Sequence, residues 1–406
     1  MLSKRLLGTV YVVQSEVEMI MIKDRLIKTC LAVIPDEQSH YAISPEIAMT
    51  SSFYSKSYEA YVAASKDEFN NYVYTRGSNP TTHKLEVLLA ELEGAQRCKV
   101  FASGMGAISA TLQSYVMNGS HIVVVNSIYS TAMKFIKSLE KFGVSHTVVM
   151  SVDTQEIVSA IQDNTDVIYL ESPSSQKFEI VDLKAIADIA KSRQITTMID
   201  NTWATPMFQR PLESGIDLIL HSCSKYIGGH SDIVAGAVLG TTEGVGRVEQ
   251  NGYLMMGSTC SPMNSFLAIR GIRTLPIRME KHNSNVKAVI DALKDDPRIE
   301  KIYHPYIQQA ERSEKYLDGY GSLLAITFTD KDTTKLQTFI NTLETFLIGV
   351  SWGGYESMVL PGYKFDNLET MKARGLDITH TRLFIGLLEA QMTITDLKQA
   401  LSIAYD

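Results

Sequence analysis

Residues 165–200 read TDVIYLESPSSQKFEIVDLKAIADIAKSRQITTMID. Two short apolar, β-branched runs, VIYL at 167–170 and ITTMI at 195–199, flank DLKAIADIAKSR at 182–193, which opens on Asp182. Strand, helix, strand is the pattern of two parallel strands joined by a crossover. The rhythm continues upstream with IVVV at 122–125 and TVVM at 147–150. A helix is predicted over 154–162, where Asp153 and Glu156 make a capping box. HKLEVLLAELEG at 83–94 predicts an amphipathic helix closed by Gly94, and short runs at 218–220 and 235–239 extend the strands. The alternation predicts an α/β fold: a large, doubly wound, mostly parallel sheet with helices on both faces.

After residue 260 the rhythm changes. A polar, Arg-rich helical stretch (265–294) leads to short strands near 322–328 and 382–386 and a final helix at 393–405. These predict a smaller C-terminal α/β domain. The expected division is an N-terminal extension and arm over 1–65, a large domain over 66–280 and a small domain over 281–406. The break is placed near 275–285, and residues 1–65 are read as irregular.

Composition narrows the function. The chain has 406 residues, enough for two or three domains. Lys plus Arg is 38 against 45 Asp plus Glu, a net charge of −7, which lacks the basic footprint of a nucleic-acid binder. Cys30, Cys98, Cys223 and Cys260 have no CxxC spacing, so buried free thiols are expected and no metal site. No apolar run approaches the ~20 residues that span a bilayer. Lys4 and Arg5 precede a short apolar stretch interrupted by Gln14, Glu16 and Glu18, a poor signal peptide. Met19 and Met21 are alternative starts. A soluble, cytoplasmic protein is expected.

Three features suggest chemistry. Lys225 lies in HSCSKYIGGHSD, with Ser222 and Ser224 before it and Gly228 and Gly229 after it. Hydroxyls beside an amine suit a lysine that binds an anionic carbonyl cofactor, although a turn with polar caps has the same composition. FASGMGAIS at 101–109 is a small-residue turn opening an apolar helix, where amide N–H groups and the helix dipole favour a phosphate. Asp200 closes the strand ITTMID, on the side where open parallel sheets bind ligands; capping the next turn is its plainer role. Phosphate cradle, acid and lysine together are the equipment of a pyridoxal phosphate enzyme.

From residue 45 onward the chain resembles the Cys/Met-metabolism family of pyridoxal phosphate enzymes. The blocks are YTRGSNPTTHKLEVLLAELEG, ASGMGAIS, the run from Ile199 to Asp232, LAIRGIRTLPIRMEKHNSN, SWGGYES and TRLFIGLLE. The resemblance implies a fold-type I architecture and pyridoxal 5'-phosphate as cofactor. It implies that Lys225 binds the cofactor covalently and moves protons, and that Asp200 faces the ring nitrogen. Gly104, Met105, Ser222 and Ser224 match the phosphate cradle. Tyr74 and Arg76 match residues that reach the neighbouring subunit's site, which implies a homotetramer built as a dimer of catalytic dimers. Tyr129 matches the aromatic that stacks on the cofactor and sits near the reacting group, which implies a catalytic role beside Lys225. Arg382 matches the clamp on the substrate carboxylate, with Ser351 beside it, and Trp352 and Tyr74 are the other residues implied to meet the substrate.

Family members differ in reaction. β-Elimination, γ-elimination and γ-replacement share the same groups. Ser175 and Gln176 stand where many γ-acting members have Asn-Pro, so Ser175 is expected to supply the contact to the cofactor. Tyr129-Ser130-Thr131, Trp203 and Trp352 also depart from that pattern, and all four departures resemble bacterial cystathionine β-lyases. The resemblance therefore implies a C–S lyase acting on sulfur amino acids, with β-elimination of cystathionine to homocysteine, pyruvate and ammonia as the expected reaction and γ-elimination or γ-replacement as the alternative. A regulatory protein on a lyase scaffold is the alternative of another class. His230 and Asp232 are read as turn residues, Met255 and Met256 as core or interface filler, His304 as a loop residue and Cys223 as packing.

Overall fold

The computed structural model describes residues 21–33, 42–125 and 127–406. Met19 and the basic start of the chain lie outside them. Seven strands form the large sheet: β1 (Arg97–Phe101), β2 (His121–Val125), β3 (Ser145–Val149), β4 (Thr165–Glu171), β5 (Thr196–Asp200), β6 (Leu218–Ser222) and β7 (Gly236–Gly240). Their order is β1-β7-β6-β5-β4-β2-β3. Only β7 runs against the rest, pairing antiparallel with both β1 and β6. The remaining pairs are parallel.

Alternation along the strands divides the core into two layers. Val123 and Val125 of β2, with Ile168 and Leu170 of β4, pack under the helices Pro80–Glu93 and Leu183–Ser192. Ile122, Val124, Val167 and Tyr169 point the other way, onto the helices Gly104–Tyr115 and Ser130–Ser138. Burial on both faces explains why these strands read as unbroken apolar runs. The helix expected from His83 begins three residues earlier, because Asn79 caps it and Pro80 occupies its first turn. Gly94 closes it at φ +69°, as expected.

The second sheet has the order β10-β11-β12-β9-β8, from β8 (Ile299–Tyr303), β9 (Leu323–Phe328), β10 (Phe346–Ile348), β11 (Ser357–Pro361) and β12 (Thr381–Phe384). The expected break at 275–285 falls inside one helix, Leu275–Leu293. Leu275 and Met279 at its start belong to the large sheet's core, while Val286, Val289, Ile290 and Leu293 pack on the second sheet.

The N-terminal region is less irregular than its composition implies. Residues 21–31 are helical, with Leu26 and Cys30 fully buried, and Arg273 donates to the Cys30 carbonyl at 2.7 Å. Ile22, Leu26 and Cys30 recur at helical spacing, a signal hidden by the charged residues between them. Tyr58–Ser65 is also a helix, and it buries none of its residues. Met255 is 77% exposed and Met256 43%, so neither is core. His304 is a loop residue, as expected, and a fully buried one: it caps the helix Pro305–Gln308 and bonds the Gly321 carbonyl at 3.0 Å.

Candidate active site

Three neighbouring parallel strands end on one edge of the sheet, β4 and β5 level with each other and β6 two residues further on. β4 closes on Glu171, β5 on Asp200 and β6 on Ser222, with Glu171 opposite Asp200 in the ladder. The side-chain period of two puts all three on the face that carries Tyr169 and Met198. A cavity of about 890 Å³ opens there, lined by Gly104, Met105, Tyr129, Ser175, Asp200, Ser222, Ser224, Lys225, Ser351, Trp352 and Arg382. The structure thus brings together every sequence-selected residue except Tyr74 and Arg76. Those two are stacked on each other, with the guanidinium 5.6 Å from the ring centre, and do not line the cavity.

Lys225 sits in the turn that follows β6. Its Nζ donates to Ser351 Oγ at 2.6 Å and lies 5.7 Å from the centre of the Trp352 ring. Burial, and then the Arg382 charge, lower the lysine pKa, with Asp200 opposing them. A larger neutral fraction suits an amine that must act as nucleophile and base. The turn is fixed from below by Arg278, whose guanidinium donates to the carbonyls of Tyr226 and Gly271, both at 2.7 Å. Gly229 must be glycine there: at φ +71° its Cβ would stand 2.2 Å from Arg278 Nη1. Ser351 holds φ +85°, a strained value for a serine, and this backbone aims its hydroxyl at the amine.

Asp200 accepts from the Thr202 N–H at 3.0 Å, and burial raises its pKa. It has no ion-pair partner among the described residues. Behind the sheet, His221 and Glu93 meet at 2.5 Å, and Asn201 donates to the same Glu93 oxygen at 3.0 Å, bracing the ends of β5 and β6. Glu171 was not singled out by sequence, although it closes its strand as Asp200 does. Its carboxylate accepts from the Tyr129 main-chain N–H at 2.6 Å and from the Ser175 hydroxyl. Burial and the adjacent Asp200 push its pKa well above the ordinary carboxylate range. Ser175, expected to contact the cofactor directly, is held by this carboxylate.

Arg382 lines the cavity from β12. Its Nε is buried with no hydrogen-bond partner, and it forms no ion pair among the described residues. A guanidinium left in this state in a cavity fits an incoming carboxylate.

The same surroundings fit pyridoxal phosphate. Ser103 caps the helix Gly104–Tyr115 through the Gly106 N–H at 2.9 Å, leaving the Gly104 and Met105 amides at the cavity. A Cβ on Gly104 would lie 2.9 Å from that of Ser222, so the cradle admits backbone only. An anion cradle, a buried carboxylate without a cation and an amine of lowered pKa correspond to the phosphate, ring nitrogen and carbonyl of that cofactor. His230 Nδ1 bonds the Gly228 carbonyl at 2.8 Å, a turn contact, and Cys223 is fully buried. Among the described residues no His, Cys, Asp and Glu cluster could hold a metal, and no helix is long and apolar enough to cross a membrane.

Residues 29–402 match the family model described as Cys/Met metabolism PLP-dependent enzyme. The chain is 34% identical over 340 residues to a cystathionine β-lyase of Lactococcus lactis subsp. cremoris, covering 81% of this chain and 88% of the relative. It is 36% identical over 372 residues to an L-methionine γ-lyase of Treponema denticola, covering 89% and 92%. The crystal structure of cystathionine γ-synthase from Xanthomonas oryzae pv. oryzae in complex with aminoacrylate and cysteine superposes with a TM-score of 0.87 at 28% identity, covering 93% of this chain and 98% of that one. The chain therefore belongs to the Cys/Met-metabolism family of pyridoxal phosphate-dependent enzymes.

Proposed function

We propose that this enzyme cleaves the C–S bond of L-cystathionine by β-elimination, consuming water and releasing homocysteine, pyruvate and ammonia. The observation that carries the reading is Trp352, whose ring lies 5.7 Å from Lys225 Nζ. A rigid indole beside the amine narrows the site around the first two substrate carbons, where β-elimination takes place.

Gly104, Met105, Ser222 and Ser224 would hold the cofactor phosphate, Asp200 its ring nitrogen, Tyr129 its ring face and Lys225 its carbonyl carbon. Bound there, pyridoxal phosphate acidifies the substrate Cα–H by withdrawing electrons from that carbon. Arg382 clamps the α-carboxylate and sets the Cα–H toward Lys225. The Lys225 amine takes that proton and returns one to the departing sulfur, while Ser351 fixes its direction through the 2.6 Å contact. Glu171 holds Tyr129 and Ser175 in place through the contacts described above. The exposed pair Tyr74 and Arg76, with the helix Tyr58–Ser65 that buries nothing, fit an arm given to a second copy of the chain. On this reading the site is completed across a dimer, and two dimers make the tetramer. Residues 66–280 and 281–406 are then the large and small domains that flank the cavity.

A second reading, γ-elimination, draws on the methionine γ-lyase relative. Incubating the holoenzyme with L-cystathionine and identifying the keto acid separates the two. Pyruvate supports β-elimination; 2-oxobutyrate with free cysteine refutes it.

A further inference from the structure

The cavity that Arg382 lines is also lined by Lys364, Asn367 and Arg374. All three belong to residues 362–380, an excursion between β11 and β12. The excursion is pinned at its base. Leu360 faces Arg382 and Pro361 faces Thr381 across the ladder, and the Gly362 N–H donates to the His380 carbonyl at 2.8 Å. This part of the wall therefore starts and ends beside the guanidinium that clamps the α-carboxylate. Asn367 shapes the turn by accepting from the Lys364 N–H and donating to the Gly362 carbonyl, both at 2.8 Å. Buried Met371 roots the short helix Leu368–Ala373.

The charges on this excursion are unequal in their freedom. Asp377 is engaged by the Thr379 N–H at 2.8 Å and by Lys331 at 2.9 Å, and Glu369 is engaged by Lys372 at 3.0 Å. Asp366 does not line the cavity. Lys364 and Arg374 do line it, and neither side chain has an ion pair or hydrogen bond among the described residues. Two unengaged cations in the wall of a cavity that already holds an unpartnered guanidinium suit a ligand with two negative ends.

We infer that Lys364 and Arg374 form a second anion subsite, which takes the distal carboxylate of a substrate amino acid bearing a carboxylate at each end. The inference rests on the proposed reading for the placement of the α-carboxylate at Arg382. The subsite is open to solvent, so its attraction is screened, and salt weakens it.

The test compares two thioethers on the holoenzyme: L-cystathionine, with the distal carboxylate, and S-propyl-L-cysteine, without it. In Lys364→Ala/Arg374→Ala the ratio of kcat/KM for the first over the second is expected to fall about tenfold, through KM, the effect of losing a charged hydrogen bond. Arg374→Lys is expected to keep most of the ratio, and raised salt is expected to lower it in the unmodified enzyme only. An unchanged ratio, or equal losses on both substrates, overturns the subsite. If neither thioether yields pyruvate with the unmodified enzyme, the β-elimination reading fails by itself. The same ratio is then measured with O-succinyl-L-homoserine over O-acetyl-L-homoserine, and the subsite stands or falls on that result.

Discussion

Replacing Arg382 by methionine separates binding from stability. The guanidinium is buried at Nε without a partner, and its pKa is lowered by burial despite attraction from Glu171 and Tyr129. An uncompensated buried cation destabilises the free protein, whereas methionine fills similar volume with no charge to desolvate. Substrate binding reverses the balance. A carboxylate entering the cavity gains a charge-assisted, bidentate partner, and without it would be left desolvated and alone. Removing one partner of such a pair costs about 3 kcal/mol, roughly 150-fold in kcat/KM. Arg382→Met is therefore expected to lose about two orders of magnitude in kcat/KM for L-cystathionine, while its thermal midpoint stays level or rises. The loss should vanish when the dissociation constant is measured for an amine lacking the α-carboxylate. A clear fall in thermal midpoint, or kcat/KM within a few-fold of the unmodified enzyme, would refute the assignment of Arg382 as a cation kept for the substrate.

Other outcomes follow from the same geometry. Gly104→Val puts a branched side chain where even a Cβ lies 2.9 Å from the Ser222 Cβ; cofactor affinity measured by equilibrium dialysis should fall at least about tenfold with the far-ultraviolet spectrum unchanged. Lys225→Ala should abolish turnover, and its cofactor should wash out on dialysis where the unmodified enzyme retains it. Mixing inactive Lys225→Ala and Arg76→Ala chains should restore activity at up to about a quarter of the sites if the site is shared across a two-fold dimer; no recovery after confirmed chain exchange would remove Arg76 from the neighbour's site. Burial lowers His282 to about 3 and His304 to about 4, so both are neutral in the folded state. Their unfolded forms take up protons below the ordinary histidine pKa near 6.5. The stability tied to neutral imidazole is thus present above that pH and lost as pH falls toward 4 and 3, by about 1.4 kcal/mol per unit for each histidine. Denaturant titrations of His304→Gln should show a shallower acid slope than the unmodified enzyme.

The parallel strands and the Lys225–Asp200 pair were legible because their signals are local: an apolar run, a polar residue at its end, small residues beside a lysine. Glu171 carried the same strand-end signal and was passed over, since no phosphate turn or lysine adjoins it in sequence. Arg278 gave no local sign. Its work is on carbonyls at Tyr226 and Gly271, which only the packing of two helices against the Lys225 turn brings within reach. The helix at 21–31 was hidden because an apolar stripe of one residue per turn disappears among charges. The reaction was legible only as far as the departures at Ser175 and Trp352. The structure explains how Trp352 comes to flank the amine, but Ser175 bonds Glu171 rather than facing the cavity alone.

The fate of one carbon separates the proposed reaction from its rival. γ-Elimination must remove a proton from the β-carbon of the four-carbon half of cystathionine, and β-elimination leaves that carbon untouched. The holoenzyme should be given L-cystathionine carrying two deuterons on that carbon, and the products weighed by mass spectrometry. Homocysteine retaining both deuterons, with an equal amount of pyruvate, is the expected result. A four-carbon keto acid that has lost deuterium, with unlabelled cysteine, would contradict it.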